Sequence, residues 1–336
     1  MVVRRVTFRL YPKSKAASKL LWARKMHQLL YNAAICNRKV QHEKFGHSVN
    51  YLEQQNCLPA FKEVWPEYKS LGSHALQATL KRVDLAYQSF FRGLRGKPKF
   101  KSIRHYSGWS YPDKAGWKVR TTGDNGYLEL TDLKLSIQMR GKARTWGTPT
   151  TCTIVYRNGL WYASITVECN PVRKTDASAI GLDFGIYHAV AMSDGTLIEN
   201  PKFLSKSQEK VKKASKQKRR KRAPNFRKKV KASKRWKKAT KRVSRLQRKI
   251  ATSRQDWTHK VAADIVSGNS FVATEELNLK GMTRKAKKGS KKKAQKTGLN
   301  RSMLDVGIGN LTKAIEYKLQ EAGGFLVKVP TKKVKP

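Results

Sequence analysis

The feature that most restricts this sequence is an apolar seam hidden in its most basic stretch. Between Ser205 and Arg254 about half the residues are Lys or Arg, and Glu209 is the only acid. A like-charge run of that kind is ordinarily a solvated segment. Here, however, Ala232, Trp236, Ala239, Val243, Leu246 and Ile250 recur at alternating spacings of four and three. That is the period of a helix with one face packed on a neighbour. Pro224 and Asn225 divide the stretch, so it reads as a helical hairpin, apolar along one seam and cationic elsewhere. The solvated charge run remains the alternative.

The rest of the chain shares the bias. It carries 73 Lys and Arg against 22 Asp and Glu, a formal net charge of +51. Binding one small acidic substrate needs a local basic cluster, not cations spread along the whole chain. Cys36, Cys57, Cys152 and Cys169 are scattered without a CxxC pair, which argues against a disulfide scaffold and a complete zinc site. Free thiols suit a reducing cytosol. No apolar run is long enough to span a membrane, and the N-terminus lacks the apolar core of a signal peptide. With 39% apolar and 9% aromatic residues the chain can bury a core, so disorder is excluded. A folded chain this basic points to nucleic acid.

Periodicity divides the chain. Residues 2–11 alternate as a strand and end at Pro12. Residues 14–44 and 71–94 carry helical spacing, separated by a Gly46 break and a Pro-containing stretch at 58–67. Residues 13–96 therefore read as a helical insertion. From Lys97 to Thr175 the period becomes two, with strands near 128–130, 133–139, 151–156 and 160–167 and a hairpin turn at Arg157-Asn158-Gly159. Together with the first strand this suggests a small β-barrel. Its aromatics, Trp109, Tyr111, Trp117, Tyr127, Trp161 and Tyr162, suit a half-buried sheet; base stacking is the second reading. A strand meander at 179–198 opens an α/β domain covering residues 176–336. The basic hairpin follows, then a strand at 271–274, a Lys-rich stretch at 280–296 read as a mobile loop, a helix at 304–322 and a strand at 325–330.

Two acids end apolar strands: Asp183 in Gly181-Leu182-Asp183-Phe184-Gly185, and Glu275 in Val272-Ala273-Thr274-Glu275-Glu276. If the strands are parallel neighbours, both acids lie at the sheet edge where open α/β sheets bind ligands. Close carboxylates favour a divalent cation between them, and such ions stabilise the oxygens of a phosphodiester under attack. A lone strand-end acid is more often a turn former or a helix cap. The seven histidines show no HExxH spacing, and no P-loop or GxGxxG is present. Gly307-Ile308-Gly309 lies within a helical pattern and reads as a packing contact.

Several local motifs resemble, in order and spacing, the TnpB (OrfB) family of transposon-associated RNA-guided nucleases, relatives of the type V CRISPR effectors. They are FRLYP at Phe8–Pro12, ALQATL…AYQSFFR at Ala75–Arg92, GLDFGI at Gly181–Ile186, RQDWTHK at Arg254–Lys260, EELNLKGM at Glu275–Met282 and EYK at Glu316–Lys318. The resemblance implies a multidomain α/β and β chain. Residues 1–12 and 97–175 would form a wedge-like β-barrel interrupted by a helical recognition lobe at 13–96. An RNase H-like (RuvC) nuclease domain would follow, with the basic helical insertion at about 205–254.

It also implies roles. Asp183 and Glu275 match the catalytic, Mg²⁺-binding carboxylates, and Glu276 a commonly acidic neighbour. Gln77 matches a residue that reads the short DNA motif flanking the target, and Tyr51 a second one. Partners would be a guide RNA and target double-stranded DNA, in a prokaryotic cytosol and nucleoid-associated. Lys218, Arg219, Arg220, Arg222, Arg227, Lys228, Arg235 and Lys238 would grip nucleic-acid backbone while base pairing reads sequence. The family continues past a segment like KVKP into a zinc ribbon and a third catalytic Asp. A third ligand and Zn²⁺ are therefore expected only beyond Pro336. The leading expectation is an RNA-guided, Mg²⁺-dependent DNA endonuclease. The alternatives are a shortened, nuclease-dead RNA-guided binder and a non-guided basic nucleic-acid-binding protein or transposase.

Overall fold

The computed structural model describes residues 2–170, 173–225, 227–286, 289 and 292–330. The chain divides into two units, before and after residue 171.

The first unit opens with β1 (Val2–Tyr11) and then runs through α1 (Ser14–Phe45), α2 (Tyr51–Asn56), α3 (Leu58–Val64), a 3₁₀ turn (Pro66–Ser70) and α4 (Ser73–Phe91). Six strands follow: β2 (Gly108–Tyr111), β3 (Trp117–Arg120), β4 (Gly126–Leu130), β5 (Leu135–Arg140), β6 (Thr148–Arg157) and β7 (Leu160–Cys169). They form one antiparallel sheet in the order β2-β6-β7-β1-β5-β4-β3. The first strand thus sits mid-sheet, and its helical insertion leaves from the sheet's centre. Among the described residues the edge strands β2 and β3 do not pair with each other, so the expected barrel is nearly but not fully closed. Alternation sets its faces: Phe8, Leu10, Trp109, Tyr111, Leu128, Ile137, Ile154, Trp161 and Ile165 are buried on one side. The β6–β7 turn has Asn158 at φ 54° and Gly159 at φ 83°, the left-handed pair that a two-residue hairpin requires.

The Pro-containing stretch at 58–67 is helical, contrary to expectation. Pro59 falls in the first turn of α3, where its missing N–H costs nothing. Helix α2 begins with a capping box, in which Asn50 Oδ1 accepts from Glu53 N and Glu53 Oε1 accepts from Asn50 N. Helix α4 is fixed at three heights. Gly72 N donates to Asp132 (3.1 Å), Thr79 Oγ1 meets His27 Nδ1 (2.9 Å), and Arg82 donates to Gly108 O (2.8 Å).

The second unit contains β8 (Ser178–Asp183), β9 (His188–Met192), β10 (Leu197–Glu199), α5 (Phe203–Arg219), α6 (Lys234–Gly268), β11 (Asn269–Glu276), α7 (Leu279–Met282), α8 (Lys293–Val306), α9 (Ile308–Ala322) and β12 (Phe325–Pro330). Its sheet order is β10-β9-β8-β11-β12. The β8, β11 and β12 strands are parallel; β9 is antiparallel to both β8 and β10. Val261, Ala262, Ile265 and Val266 of α6 and Leu311, Ile315 and Leu319 of α9 pack with Ile180, Leu182, Val190 and Val272. The Lys-rich stretch read as a loop is partly helical, in α7 and α8; residues 287, 288, 290 and 291 lie outside the described residues. The helix expected at 304–322 is two helices. Gly307, at φ 76°, ends α8 and precedes α9, so the helical pattern is interrupted there; the expected packing contact is present, since a Cβ would lie 3.2 Å from Arg254 Cδ at Gly307 and 3.1 Å from Leu279 Cδ1 at Gly309. Among the described residues no helix is long and apolar enough to cross a membrane.

Candidate active site

The carboxyl ends of β8 and β11 bring two acids together. The strands are hydrogen-bonded parallel neighbours with Thr274 opposite Leu182. Asp183 and Glu275 occupy the next step on each strand, on the same face and on strands about 4.8 Å apart. Leu182 and Thr274 turn into the core, whereas Asp183 is exposed and Glu275 half-buried. Neither carboxylate has a side-chain hydrogen bond or ion pair among the described residues. Two hard oxygen donors at this spacing, without a cation on them, suit a divalent metal that keeps part of its water shell. Among the described residues no group of three or more His, Cys, Asp or Glu is placed to hold a metal.

The surroundings hold this edge firmly. Gly181 N donates to Ser193 Oγ (3.0 Å), tying β8 to the following turn. A Cβ on Gly185 would lie 2.7 Å from His188 O, so only glycine lets the chain return this closely after Asp183. Buried Asn200 donates to Ile186 O (2.7 Å) and accepts from Lys202 N (3.0 Å). It therefore links the loop after Asp183 to the root of α5. That root lacks a side-chain cap of its own. Asp305 of α8 supplies one, accepting from Leu204 N (2.9 Å) and Ser205 N (3.4 Å) while pairing with Arg254 of α6 at 2.6 Å.

The basic hairpin is α5 with the first half of α6. Ala214, Val243 and Ile250 are buried; Trp236, Ala239 and Leu246 are half-buried; and Ala232 precedes the helix. Lys218 is half-buried, 5.7 Å from the Trp236 ring centroid. Arg219, Arg220, Arg222, Arg227, Lys228, Arg235 and Lys238 are exposed, at the end of α5, in the connection and at the start of α6. In the first unit, Tyr51 opens α2 and lies under Lys81 of α4, whose Nζ is 4.6 Å from the ring centroid. Gln77 is one turn before Lys81 on α4.

Lys81, Asn200 and Asp305 escaped the sequence reading because their roles are tertiary. One signal was available. No Lys or Arg occurs in residues 175–201 or 261–279, although 73 of the 336 residues are cations. These two windows contain β8 and β11.

A family model, OrfB_IS605, described as "Probable transposase", matches residues 163–286. A protein of Escherichia coli (strain K12) named "Putative RNA-guided DNA endonuclease InsQ" is 28% identical over 312 residues, covering 90% of this chain and 74% of that protein. A protein of Streptomyces pristinaespiralis carrying the same name without "InsQ" is 27% identical over 333 residues, covering 97% and 77%. Among solved structures, a chain of one described as "Cryo-EM structure of the Cas12f1-sgRNA-target DNA complex" superposes with TM-score 0.57 at 11% identity, covering 98% of this chain and 90% of that one. At that identity the likeness is one of fold.

Proposed function

We propose that this chain, a TnpB-family protein, is an RNA-guided DNA endonuclease that cuts at the Asp183–Glu275 edge. The observation that carries the reading is the register that seats two unpaired carboxylates side by side on adjacent parallel strands. The sheet order, with β9 antiparallel among four co-directional strands, is read as the RNase H-like (RuvC) arrangement. The nearly closed sheet of the first unit is read as the wedge-like domain and α1–α4 as the recognition lobe.

Magnesium fits the donor set, and Asp183 and Glu275 would hold it. Bound there, it would polarise a phosphate oxygen and lower the pKa of a water. The chain's own residues do the rest. Asn200 and Gly185 hold the loop that follows Asp183. The exposed cations of the α5–α6 hairpin grip phosphates, so that a guide RNA and its DNA target are held by backbone while base pairing selects the sequence. Gln77, and Tyr51 beneath Lys81, would read the motif beside the target. The two relatives' names support the RNA-guided part, and the transposase description supports a transposon origin.

The test is cleavage of a matched plasmid by protein purified with RNA expressed from its own flanking DNA. Asp183→Ala and Glu275→Ala should each abolish Mg²⁺-dependent cutting and leave target binding within about twofold, since neither carboxylate contacts the target backbone favourably. Cutting at the normal rate by Asp183→Ala would sink the assignment. A second reading is an RNA-guided binder that does not cut. Tight, guide-dependent target binding with no cleavage in Mg²⁺ would select it.

A further inference from the structure

We propose that Asp132 is a positioning residue for motif reading: its carboxylate sets where helix α4 begins, and with it where Gln77 stands. The inference rests on the reading of Gln77 as a contact to the motif beside the target.

Local sequence does not fix the start of α4. Its N-cap is Gly72, which has no side chain to offer the first turn. The cap arrives from sixty residues further along. Asp132, in the turn between β4 and β5, accepts from Gly72 N at 3.1 Å and from Leu133 N at 2.8 Å. The Tyr111 hydroxyl donates to the same carboxylate, 3.0 Å from each oxygen. Tyr111 ends β2 and is fully buried. Strands β2 and β3 are the two edges of the sheet that do not pair. The Tyr111–Asp132 bond therefore ties β2 to the β4–β5 turn across the unpaired seam, and the first turn of α4 hangs from that tie.

Two glycines leave room for it. A Cβ on Gly72 would lie 3.2 Å from Asp132 Oδ2, and a Cβ on Gly116 would lie 3.0 Å from the Tyr111 ring. The charge is also placed with purpose. In a chain of 73 cations and 22 acids, Asp132 meets no Lys or Arg among the described residues. It faces a tyrosine hydroxyl and backbone N–H groups at the positive end of the α4 dipole.

Gln77 follows in the second turn of α4, between this tie and the contacts that Thr79 makes to His27 and Arg82 to Gly108 O. Without Asp132 the helix loosens on one side of Gln77 and stays fixed on the other. A second tether joins His74 of the first turn to Asp113, but both side chains are about half exposed, so water screens it and it contributes little. Reading a base edge needs a side chain held to within about 0.5 Å. A loosened first turn loses that precision and leaves phosphate contacts, which carry overall affinity, in place.

The test uses the full chain purified with RNA expressed from its own flanking DNA. It selects from matched target DNA with randomised flanking bases, and the bound fraction is sequenced. Gln77→Ala, the reference, should flatten the preference at one position by about tenfold. Asp132→Ala should flatten the same position by about fivefold, the net contribution of one hydrogen bond, with overall binding near native. Asp132→Asn should restore the preference, because its amide oxygen still accepts from Gly72 N. Gly72→Ala keeps the carboxylate but displaces it, at a φ of −57° that suits alanine, and should flatten the position by about twofold; it carries the test if Asp132→Ala folds poorly. His74→Ala should leave the preference unchanged. A merely structural Asp132 would lower binding to every flanking sequence alike, or leave Asp132→Asn as defective as Asp132→Ala, and either result overturns the proposal. Full preference in Asp132→Ala and Gly72→Ala, with loss in Gln77→Ala, overturns the positioning alone. Native preference in Gln77→Ala would instead remove the motif-reading assignment of Gln77, and the positioning with it.

Discussion

His27 should make the first unit acid-sensitive. It is wholly buried where α1, α4 and β2 meet, with its ring stacked on Trp109 at 5.3 Å and 9°. Nδ1 meets Thr79 Oγ1, and Nε2 is buried with no hydrogen-bond partner. Burial, aided by the Arg82 charge, pushes its pKa down from 6.5 to about 3. The folded state therefore rejects a proton that the unfolded chain accepts. Stability is fully present above pH 6.5 and falls as pH drops from there toward 3. Between pH 7 and pH 5 the linkage amounts to about 2 kcal/mol, from RT ln(1 + 10^1.5) less a few tenths already lost at pH 7. Carboxylates and exposed histidines also titrate in this interval, so the measurement is a difference. Urea unfolding is followed by tryptophan fluorescence at both pH values for the native chain and for His27→Gln. Of the eight tryptophans only Trp236 and Trp257 belong to the second unit, so the signal reports chiefly the first. The variant should lose about 2 kcal/mol less than the native chain over that interval. Equal losses would mean that the folded state accommodates the imidazolium, and the account of a closed α1–α4–β2 junction would fail. Thr79 is two residues from Gln77, so the same protonation should also weaken discrimination of the flanking motif.

Three further outcomes follow from the geometry. Asp305→Ala leaves the Arg254 charge unpaired and α5 uncapped, and should destabilise the second unit by about 2–4 kcal/mol, with hydrogen exchange rising first at Leu204 and Ser205; Asp305→Asn should cost less, because an amide oxygen still accepts from those groups. Gln77→Ala should relax discrimination at one position of the flanking motif by about 1–3 kcal/mol, whereas Lys81→Ala should weaken DNA binding alike for all motifs, as a competition series of single-base variants would reveal. Replacing both Arg235 and Lys238 by Gln should reduce the slope of log K against log salt by about two, one unit for each lost phosphate contact.

Local chemistry was legible in the sequence, and tertiary chemistry was not. The Asn158-Gly159 turn, the long helix that became α1 and the seam running from Trp236 to Ile250 could be read because each depends on side chains within a few residues of one another. The helices α2 and α3 were hidden by Pro59, whose meaning reverses in a first turn, although the Asn50–Glu53 capping box was present to mark the start. The break at Gly307 was missed because apolar spacing continues through it from Met303 to Leu319. At the candidate site, Asp183 and Glu275 could each be seen at a strand end. What local sequence could not supply was the pairing of β8 with β11, across a hairpin, or the identity of Asp305 as the cap of a helix that begins a hundred residues earlier.

Charge segregation ties these threads together and can be tested. Cations outnumber acids by 73 to 22, so a carboxylate placed at random would sit near a lysine or an arginine. Elsewhere this happens: Asp84 pairs with Arg38 and Lys81, Asp305 with Arg254, and Glu321 with Arg173. The windows 175–201 and 261–279 instead exclude Lys and Arg, and Asp183 and Glu275, which lie in them, have no side-chain partner among the described residues. A lysine there would neutralise the pair and repel a metal, which is reason enough for its absence. Ala191 lies directly opposite Asp183 on β9, with Cβ atoms about 5 Å apart, so Ala191→Lys would deliver an ammonium to the site without touching either carboxylate. Against a divalent ion about 6 Å away the repulsion is about 1–5 kcal/mol, depending on how well water screens it. Mn²⁺ titration followed by electron paramagnetic resonance, with Mg²⁺ as competitor, should show at least about tenfold weaker binding for Ala191→Lys and near-native binding for Ala191→Gln. If the two variants bound the ion alike, the cation-free windows would have no electrostatic purpose, and the pair would lose its claim to be a metal site.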